Sequence, residues 1–274
     1  MRLRWILAAA LAATLVFVAV VLRERDPNRA EYCVAEVDGT RVELDLEQTR
    51  WASLMAAQAQ NRGLPPRATT IAIATAFQES KIRNIDYGDR DSLGLFQQRP
   101  SQGWGTEEQV MDPFHAINRF YDGLVKIDNY EGLEITVAAQ AVQRSGFPEA
   151  YAQHEPASRA LASSLRGFSP AAFTCQMDER GGGSSETVVD DVEGAFGALG
   201  STIAADTVTT MFGGDPVDMA ARSWALAHYA VANAQRLGIT TVSLDGRRWT
   251  IEDSPDGWVE DPAAPPGTVV ISTR

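Results

Sequence analysis

The chain has 274 residues, of which 45% are hydrophobic and 22% are charged, and its formal net charge is −12. This length accommodates one large domain or two small ones, and the composition is that of an ordinary globular protein. The acidic balance argues against a nucleic-acid partner, which requires a basic face, and against a secreted enzyme that reaches anionic surfaces through bulk positive charge.

Residues 1–29 predict a membrane anchor followed by a short juxtamembrane segment. Arg2 and Arg4 precede an uncharged run at residues 5–22. As a helix this run would span roughly 27 Å, close to the thickness of the hydrocarbon core of a bilayer. Positive charge stays on the cytoplasmic side, so we expect a single-pass protein with a cytoplasmic N-terminus and extracytoplasmic domains. Secretion after signal cleavage is the alternative, although no clean cleavage site precedes Arg23.

The two cysteines, Cys33 and Cys175, predict a disulfide, because an isolated pair in an extracytoplasmic protein usually forms one. By chain entropy, closing a loop of about 140 residues would be worth roughly 4–5 kcal/mol. Two buried free thiols are the alternative. The bond would join both ends of one folding unit, and we therefore predict a first domain at residues 30–177.

The pattern of this first domain is mostly helical. Apolar residues at helical spacing predict helices at residues 47–62, at 67–82, after Pro113, and at about 134–145. Short helices joined by a long polar loop are typical of an α-rich domain.

Glu79 lies in the last turn of the second predicted helix, which is otherwise apolar and rich in alanine. Apolar surroundings and the negative end of the helix dipole both disfavour an ionised carboxylate, so the pKa of Glu79 should be raised. A carboxyl group that keeps its proton near neutral pH can act as a general acid toward a leaving oxygen. The alternative is an ion pair between Glu79 and Lys81, Arg83 or Arg90.

Three stretches in a fixed order resemble the lytic transglycosylase and goose-type lysozyme superfamily. They are Glu79-Ser80, then Ser92 with Gly94-Leu95-Phe96-Gln97, and then Asp112-Pro113 at the start of a helix. The resemblance covers residues 47–165 and extends to membrane-anchored actinobacterial proteins that carry such a domain. It implies the α-helical lysozyme fold with a long cleft for peptidoglycan glycan strands, and it makes Glu79 the catalytic acid.

The resemblance implies cleavage of the bond between N-acetylmuramic acid and N-acetylglucosamine. Glu79 would protonate the glycosidic oxygen, and an oxocarbenium-like centre would develop on the sugar. The muramyl 6-hydroxyl captures this centre in a lytic transglycosylase, whereas a positioned water does so in a hydrolase. Asp86, Asp89 and Asp91 are candidates for orienting that water, and a solvated turn is the alternative. No cofactor is expected, and the scattered histidines lack the spacing of metal ligands.

Several further residues are candidates for contacts with the sugar strand: Ser92, Gly94, Gln97, Trp104, Gln140 and Gln143. Gly94 is expected to supply a positive φ or a close backbone approach, and the Gln97 amide suits either a sugar acetamide or the backbone of its own loop. Gln140 and Gln143 share a helix face. Transglycosylases commonly have a Tyr-Asn pair where this chain has Val142 and Gln143. This departure leaves room for a domain that binds glycan without cutting it.

The remainder of the chain predicts a second domain. Residues 178–187 are rich in Gly, Ser and charge, which is typical of a flexible linker. Residues 188–274 then predict a helix at 215–238, followed by a β-hairpin around the Asp245-Gly246 turn and a third strand at "TVVIS". This small α+β domain is a candidate for docking a protein partner.

These features predict a mainly α protein, with a lysozyme-like helical domain and a small C-terminal α+β domain. The favoured function is cleavage of peptidoglycan glycan strands with Glu79 as the single acid and base. The alternative is a non-catalytic envelope scaffold that binds glycan or a partner protein. An enzyme requires a protonated Glu79 that faces an open cleft, whereas a scaffold would show a blocked cleft or a Glu79 neutralised by an arginine.

Overall fold

The structure of the protein is a computed structural model that describes residues 31–144, 148–178 and 181–273. The predicted membrane anchor at residues 1–29 lies outside the described residues. Within the described ranges, no helix combines the length and the apolar character that crossing a bilayer requires.

The helices of the described chain fall into an earlier group that carries Glu79 and a later group near the C-terminus. In chain order they are α1 (Leu46–Asn61), α2 (Pro66–Ser80), α3 (Glu107–Met111), α4 (Pro113–Leu124), α5 (Ile135–Gln143), α6 (Glu155–Leu165), α7 (Ser185–Phe196), α8 (Pro216–Ala232) and α9 (Ala234–Leu237). Short 3-10 segments lie at Pro100–Gln102, Tyr130–Gly132, Pro148–His154 and Ser254–Asp256.

Capping residues fix the starts of the helices in the earlier group. Asp45 precedes α1, and its side chain accepts a hydrogen bond from the Gln48 amide within a capping box. Pro66 lies in the first turn of α2, and the Asp112 side chain accepts from the Phe114 amide at the start of α4. Because these signals are local, α1, α2, α4 and α5 lie close to their predicted ranges.

The strands form two separate antiparallel sheets. They are β1 (Tyr32–Val37), β2 (Thr40–Leu44), β3 (Phe173–Gln176), β4 (Thr202–Ala204), β5 (Thr207–Met211), β6 (Thr241–Leu244), β7 (Arg247–Thr250), β8 (Val259–Glu260) and β9 (Thr268–Ser272). The first sheet has the order β2-β1-β3, and the second has the order β4-β5-β9-β6-β7-β8. The predicted hairpin around Asp245-Gly246 is formed by β6 and β7, and the predicted third strand is β9.

The prediction of a mainly α fold is wrong. Helices make up 49% of the structure and strands 17%, in sheets of three and six strands, so the fold is α+β. One source of the error is the first sheet, which joins the start and the end of the predicted helical domain. The other is the second sheet, which has more strands than the C-terminal sequence indicates.

The predicted disulfide between Cys33 and Cys175 is confirmed. The two cysteines lie directly opposite each other on β1 and β3. This register brings together two strands that are 142 residues apart at the bonded cysteines. The covalent link therefore fixes the sheet that closes the earlier group of helices.

The second sheet and α8 pack onto the earlier helices rather than lying apart from them. Residues 31–274 cluster as one compact unit, and one hydrophobic cluster contains residues of α1, α2, α6 and α8. His228 of α8 lies 2.7 Å through Nδ1 from the carbonyl oxygen of Ser164. Trp249 of β7 donates to the carbonyl oxygen of Cys175 at 3.1 Å.

In the segment at 178–187, predicted as a linker, Gly181 and Gly183 lie against α9, and α7 begins at Ser185. The amide of Gly181 donates to the carbonyl oxygen of Gln235 at 2.8 Å. A Cβ on Gly183 would lie 1.9 Å from the carbonyl oxygen of Leu237. The glycines of this segment therefore permit close contact between two backbones.

Candidate active site

Glu79 projects from the last turn of a helix that runs through the core. The α2 residues from Ala68 to Ala76 are buried, whereas Glu79 itself is half-buried. The helix ends at Lys81, which adopts a left-handed conformation and whose amide bonds to the carbonyl oxygens of Ala76 and Phe77. This ending leaves the Glu79 carboxyl at the boundary between the core and the surface.

Ser80, the neighbour of Glu79, ties the helix end to the loop that follows. Its hydroxyl lies 2.7 Å from the carbonyl oxygen of Leu95 and accepts from the Arg83 amide at 3.1 Å. Gly94 has a φ of +75°, and a Cβ there would lie 2.7 Å from the carbonyl oxygen of Val110. Both expectations for the backbone of Gly94, a positive φ and a close approach, are confirmed.

The Glu79 carboxyl receives a hydrogen bond from a tyrosine that the sequence did not indicate. The Tyr151 hydroxyl donates to Oε1 of Glu79 at 2.7 Å. Burial raises the pKa of Glu79 above the usual glutamate value of 4.5, and hydrogen bonding from Tyr151 and Gln143 offsets part of this rise. The direction of the shift agrees with the expectation from the sequence, and the carboxyl can hold a proton at a higher pH than an exposed glutamate can.

No ion pair within the described ranges involves Glu79. Arg83, which is close in sequence, pairs instead with Asp45 and Glu47. Arg90 lies 3.8 Å from Asp89. The alternative in which an adjacent cation neutralises Glu79 is therefore not seen in this part of the chain.

The three loop aspartates are exposed or bound to residues other than Glu79. Asp86 and Asp89 are exposed. Asp91 accepts hydrogen bonds from Arg99 Nε at 2.7 Å and from the Ser101 amide at 2.8 Å. The bonds from Ser101 and Arg99 hold the pKa of Asp91 well below its usual range. Within the described chain, no hydrogen bond joins any of the three to Glu79.

The predicted sugar-binding side chains divide into two groups. Gln97 donates to the carbonyl oxygens of Tyr87 and Gly94, so its amide bridges its own loop, and Ser92 is buried. Gln143 and Trp104 are half-buried and line one cavity, together with other residues of α4 and α5. Gln140 lies on α5 one turn before Gln143.

The cavity that Trp104 and Gln143 line has a volume of about 610 Å³. Gln143 links this cavity to the Glu79 carboxyl, because a hydrogen bond from the Gln143 side chain lowers the pKa of Glu79. A larger cavity of about 770 Å³ lies along the first turn of α2, where Arg67 and Glu155 form an ion pair at 2.6 Å. Glu79 lines neither cavity, and the one lined by Trp104 and Gln143 is linked to it through Gln143.

Tyr151 was missed because nothing in the local sequence distinguishes it. It lies in the 3-10 segment Pro148–His154, which has no helical or strand periodicity. His154 fixes this segment on the end of α2: its ring stacks on Phe77 at 5.5 Å between centroids, and its Nε2 lies 3.1 Å from Oε1 of Gln78. Contacts across a long sequence separation therefore position the hydroxyl.

No model of a known protein family matches this chain, and no curated protein matches it.

Proposed function

We propose that this protein cleaves the glycan strands of peptidoglycan with Glu79 as its single general acid and base. The observation that carries the proposal is the state of the Glu79 carboxyl. It is half-buried, its pKa is raised by burial, and it accepts a 2.7 Å hydrogen bond from Tyr151 rather than an ion pair within the described chain. A carboxyl in this state can give up a proton and later take one back.

The reaction begins when the protonated Glu79 transfers its proton to the oxygen between N-acetylmuramic acid and N-acetylglucosamine. The glycosidic bond breaks, and an oxocarbenium-like centre forms on the muramyl ring. The Tyr151 hydroxyl stabilises the carboxylate that the transfer leaves behind. This carboxylate then takes the proton of the muramyl 6-hydroxyl as that oxygen bonds to the anomeric carbon, which gives a 1,6-anhydro product.

The loop aspartates favour this lytic route over hydrolysis. A hydrolase needs a group that orients water opposite the acid, and Asp91 is bound to Arg99 and the Ser101 amide. Asp86 and Asp89 are exposed. The confirmed disulfide supports an extracytoplasmic location, where the substrate would be found.

Mass spectrometry of purified peptidoglycan incubated with the full-length chain in mild detergent tests this function. The matched variants are Glu79→Gln and, as a control at an exposed glutamate, Glu108→Gln. We expect muropeptides with 1,6-anhydro ends from the wild type and Glu108→Gln but not from Glu79→Gln. Reducing ends that depend on Glu79 would instead make the protein a muramidase.

A non-catalytic scaffold is the second candidate, and one observation favours it. Gln143 stands near the position of the tyrosine-asparagine pair common in transglycosylases, and its amide is used in a 2.6 Å bond to the carbonyl oxygen of Phe96. Glycan that binds equally to the wild type and Glu79→Gln, with no product from either protein, would support the scaffold and overturn the enzymatic proposal.

A further inference from the structure

The cavity that Trp104 and Gln143 line is positively charged in a protein that is strongly acidic overall. Arg119, Lys126 and Arg144 line it, and no acidic side chain is among the described residues of its wall. The formal net charge of the whole chain is −12. The larger cavity along α2 shows no such imbalance, since Arg67 and Arg159 there face Asp38 and Glu155.

Two of these cations are available to a ligand. Lys126 and Arg144 are exposed, and neither belongs to an ion pair within the described ranges. Arg144 follows Gln143 directly and ends α5 in a left-handed conformation with a φ of 52°. Arg144 and Gln143, whose amide influences Glu79, line the same cavity.

Arg119 is held at the wall of the cavity and is only weakly neutralised. Its Nη2 donates to the carbonyl oxygen of Gly103 at 3.2 Å, and its Nη1 lies 3.8 Å from Asp122. Asp122 is bound more closely by Arg62, at 2.7 Å. Arg119 thus adds positive charge that the nearest carboxylate does not fully compensate.

We infer that this cavity binds the carboxylates of the peptides attached to muramic acid, on the same strand whose sugar bond meets Glu79. The inference rests on the proposed function. The sugar backbone offers neutral hydroxyls and acetamides, for which Gln143 and Trp104 would suffice. Three cations that line one cavity, with no acidic side chain among the described residues of its wall, favour an anionic ligand there. The protein would therefore select strands that still carry their peptides.

A binding experiment with the full-length Glu79→Gln variant tests this inference without cleavage. The probes are soluble glycan strands that keep their peptides and the same strands stripped of peptides by an amidase, with the lactyl carboxylates that this exposes converted to neutral methylamides. Both are first treated with hydrofluoric acid, which removes polymers attached through phosphodiesters. We expect the peptide-bearing strands to bind about tenfold more tightly, as two or three partly exposed ion pairs would give. Added salt should reduce this difference.

The charge variant carries Lys126→Gln and Arg144→Gln in addition to Glu79→Gln. Its control carries Arg41→Gln and Arg159→Gln, at exposed sites elsewhere, in addition to Glu79→Gln, so both variants lose the same number of positive charges. We expect the preference for peptide-bearing strands to vanish in the first and to persist in the second. Equal binding of stripped strands, or a preference that survives Lys126→Gln and Arg144→Gln, would overturn the inference. Tighter binding of strands that keep their phosphodiester polymers would assign the cavity to phosphates instead.

The outcome is independent of catalysis, because binding is measured in a variant that lacks the Glu79 carboxyl. A wild type that releases no product while the preference holds would overturn the proposed function and leave the carboxylate site in place. A wild type that cleaves both kinds of strand equally well, with no preference in binding, would support the proposed function and overturn the carboxylate site.

Discussion

The hydroxyl of Tyr151 donates a 2.7 Å hydrogen bond to Oε1 of Glu79, across 72 residues of sequence. Burial and this bond act on the carboxyl in opposite directions. Burial raises the pKa of Glu79, and the hydroxyl lowers it by stabilising the ionised form. A group that must first release a proton and then accept one benefits from such opposed effects, because the hydrogen bond limits the rise that burial causes.

Tyr151→Phe should disturb this balance. Loss of the donor raises the pKa of Glu79 further, so the alkaline limb of the pH–rate profile for glycan cleavage should move to higher pH. We expect the rate at neutral pH to fall about tenfold, which corresponds to about 1.4 kcal/mol in the transition state. The measurement is the rate of muropeptide release as a function of pH.

Tyr229→Phe is the matched control for this change. The Tyr229 hydroxyl also donates to a carboxylate, that of Asp191 at 2.8 Å. Its loss should leave the pH–rate profile unmoved. A profile that is the same for the wild type and Tyr151→Phe would show that the hydroxyl does not tune Glu79.

Glu79→Gln should change the way in which stability depends on pH. Because the folded pKa of Glu79 is raised above 4.5, the native state binds this proton more tightly than the unfolded state does. The stability associated with Glu79 is therefore fully present below pH 4.5 and is lost as pH rises through the folded pKa. Glutamine cannot ionise and escapes this loss, which is worth about 1.4 kcal/mol for each tenfold difference in proton affinity between the folded and unfolded states.

Urea unfolding at pH 4 and pH 8 measures this effect. The free energy of unfolding of Glu79→Gln, relative to that of the wild type, should be higher at pH 8 than at pH 4. Glu108→Gln controls for the loss of one carboxylate at an exposed position. A difference between Glu79→Gln and the wild type that is the same at both pH values would contradict a raised pKa.

Local sequence signals were sufficient to predict much of the structure around Glu79. The caps at Asp45 and Asp112 and the proline at Pro66 mark helix starts, and Glu79 follows from the apolar pattern of α2. Gly94 was predictable because its role depends on backbone conformation, for which glycine is the usual residue. These features need only the chemistry of a few adjacent residues.

The strand β3 and the position of Tyr151 depend on contacts that no local pattern specifies. The Asp38-Gly39 turn lies between two alternating stretches, which is a hairpin signal for β1 and β2. By contrast, β3 has four residues, and its partner β1 lies far away in sequence. Tyr151 reaches Glu79 only after α2 and the 3-10 segment pack together. The pairing of β3 with β1 and the contact of Tyr151 with Glu79 were therefore beyond the reach of sequence periodicity.

Gly94→Ala should destabilise the protein more than Gly103→Ala does. Both glycines have a positive φ, +75° and +81°, so an alanine at either position carries a conformational cost of about 1–2 kcal/mol. At Gly94 the new Cβ would also lie 2.7 Å from the carbonyl oxygen of Val110, whereas nothing lies within 4 Å at Gly103. Backbone atoms cannot easily move aside, so the cost at Gly94 should be larger.

Thermal or urea unfolding of the two variants measures this difference directly. The loop that Gly94 belongs to also contacts Ser80, so Gly94→Ala should reduce glycan cleavage as well. Equal destabilisation by the two substitutions would mean that the close approach to Val110 does not constrain the loop.

Removal of the disulfide should lower the free energy of unfolding substantially. Cys33 and Cys175 link β1 to β3, and the carbonyl oxygen of Cys175 accepts a hydrogen bond from Trp249 in the second sheet. In the double variant Cys33→Ala and Cys175→Ala the unfolded chain regains the entropy of a long open loop. The expected loss is about 4–5 kcal/mol by the chain-entropy relation. Urea unfolding in oxidising buffer measures it.

The reductant dithiothreitol provides the control for this variant. It should lower the stability of the wild type toward that of the double variant and leave the double variant unchanged, because only the wild type has a bond to reduce. A wild type whose unfolding is the same with and without reductant, after alkylation has shown that the thiols are free, would mean that packing of β1 against β3 holds this sheet without the covalent link.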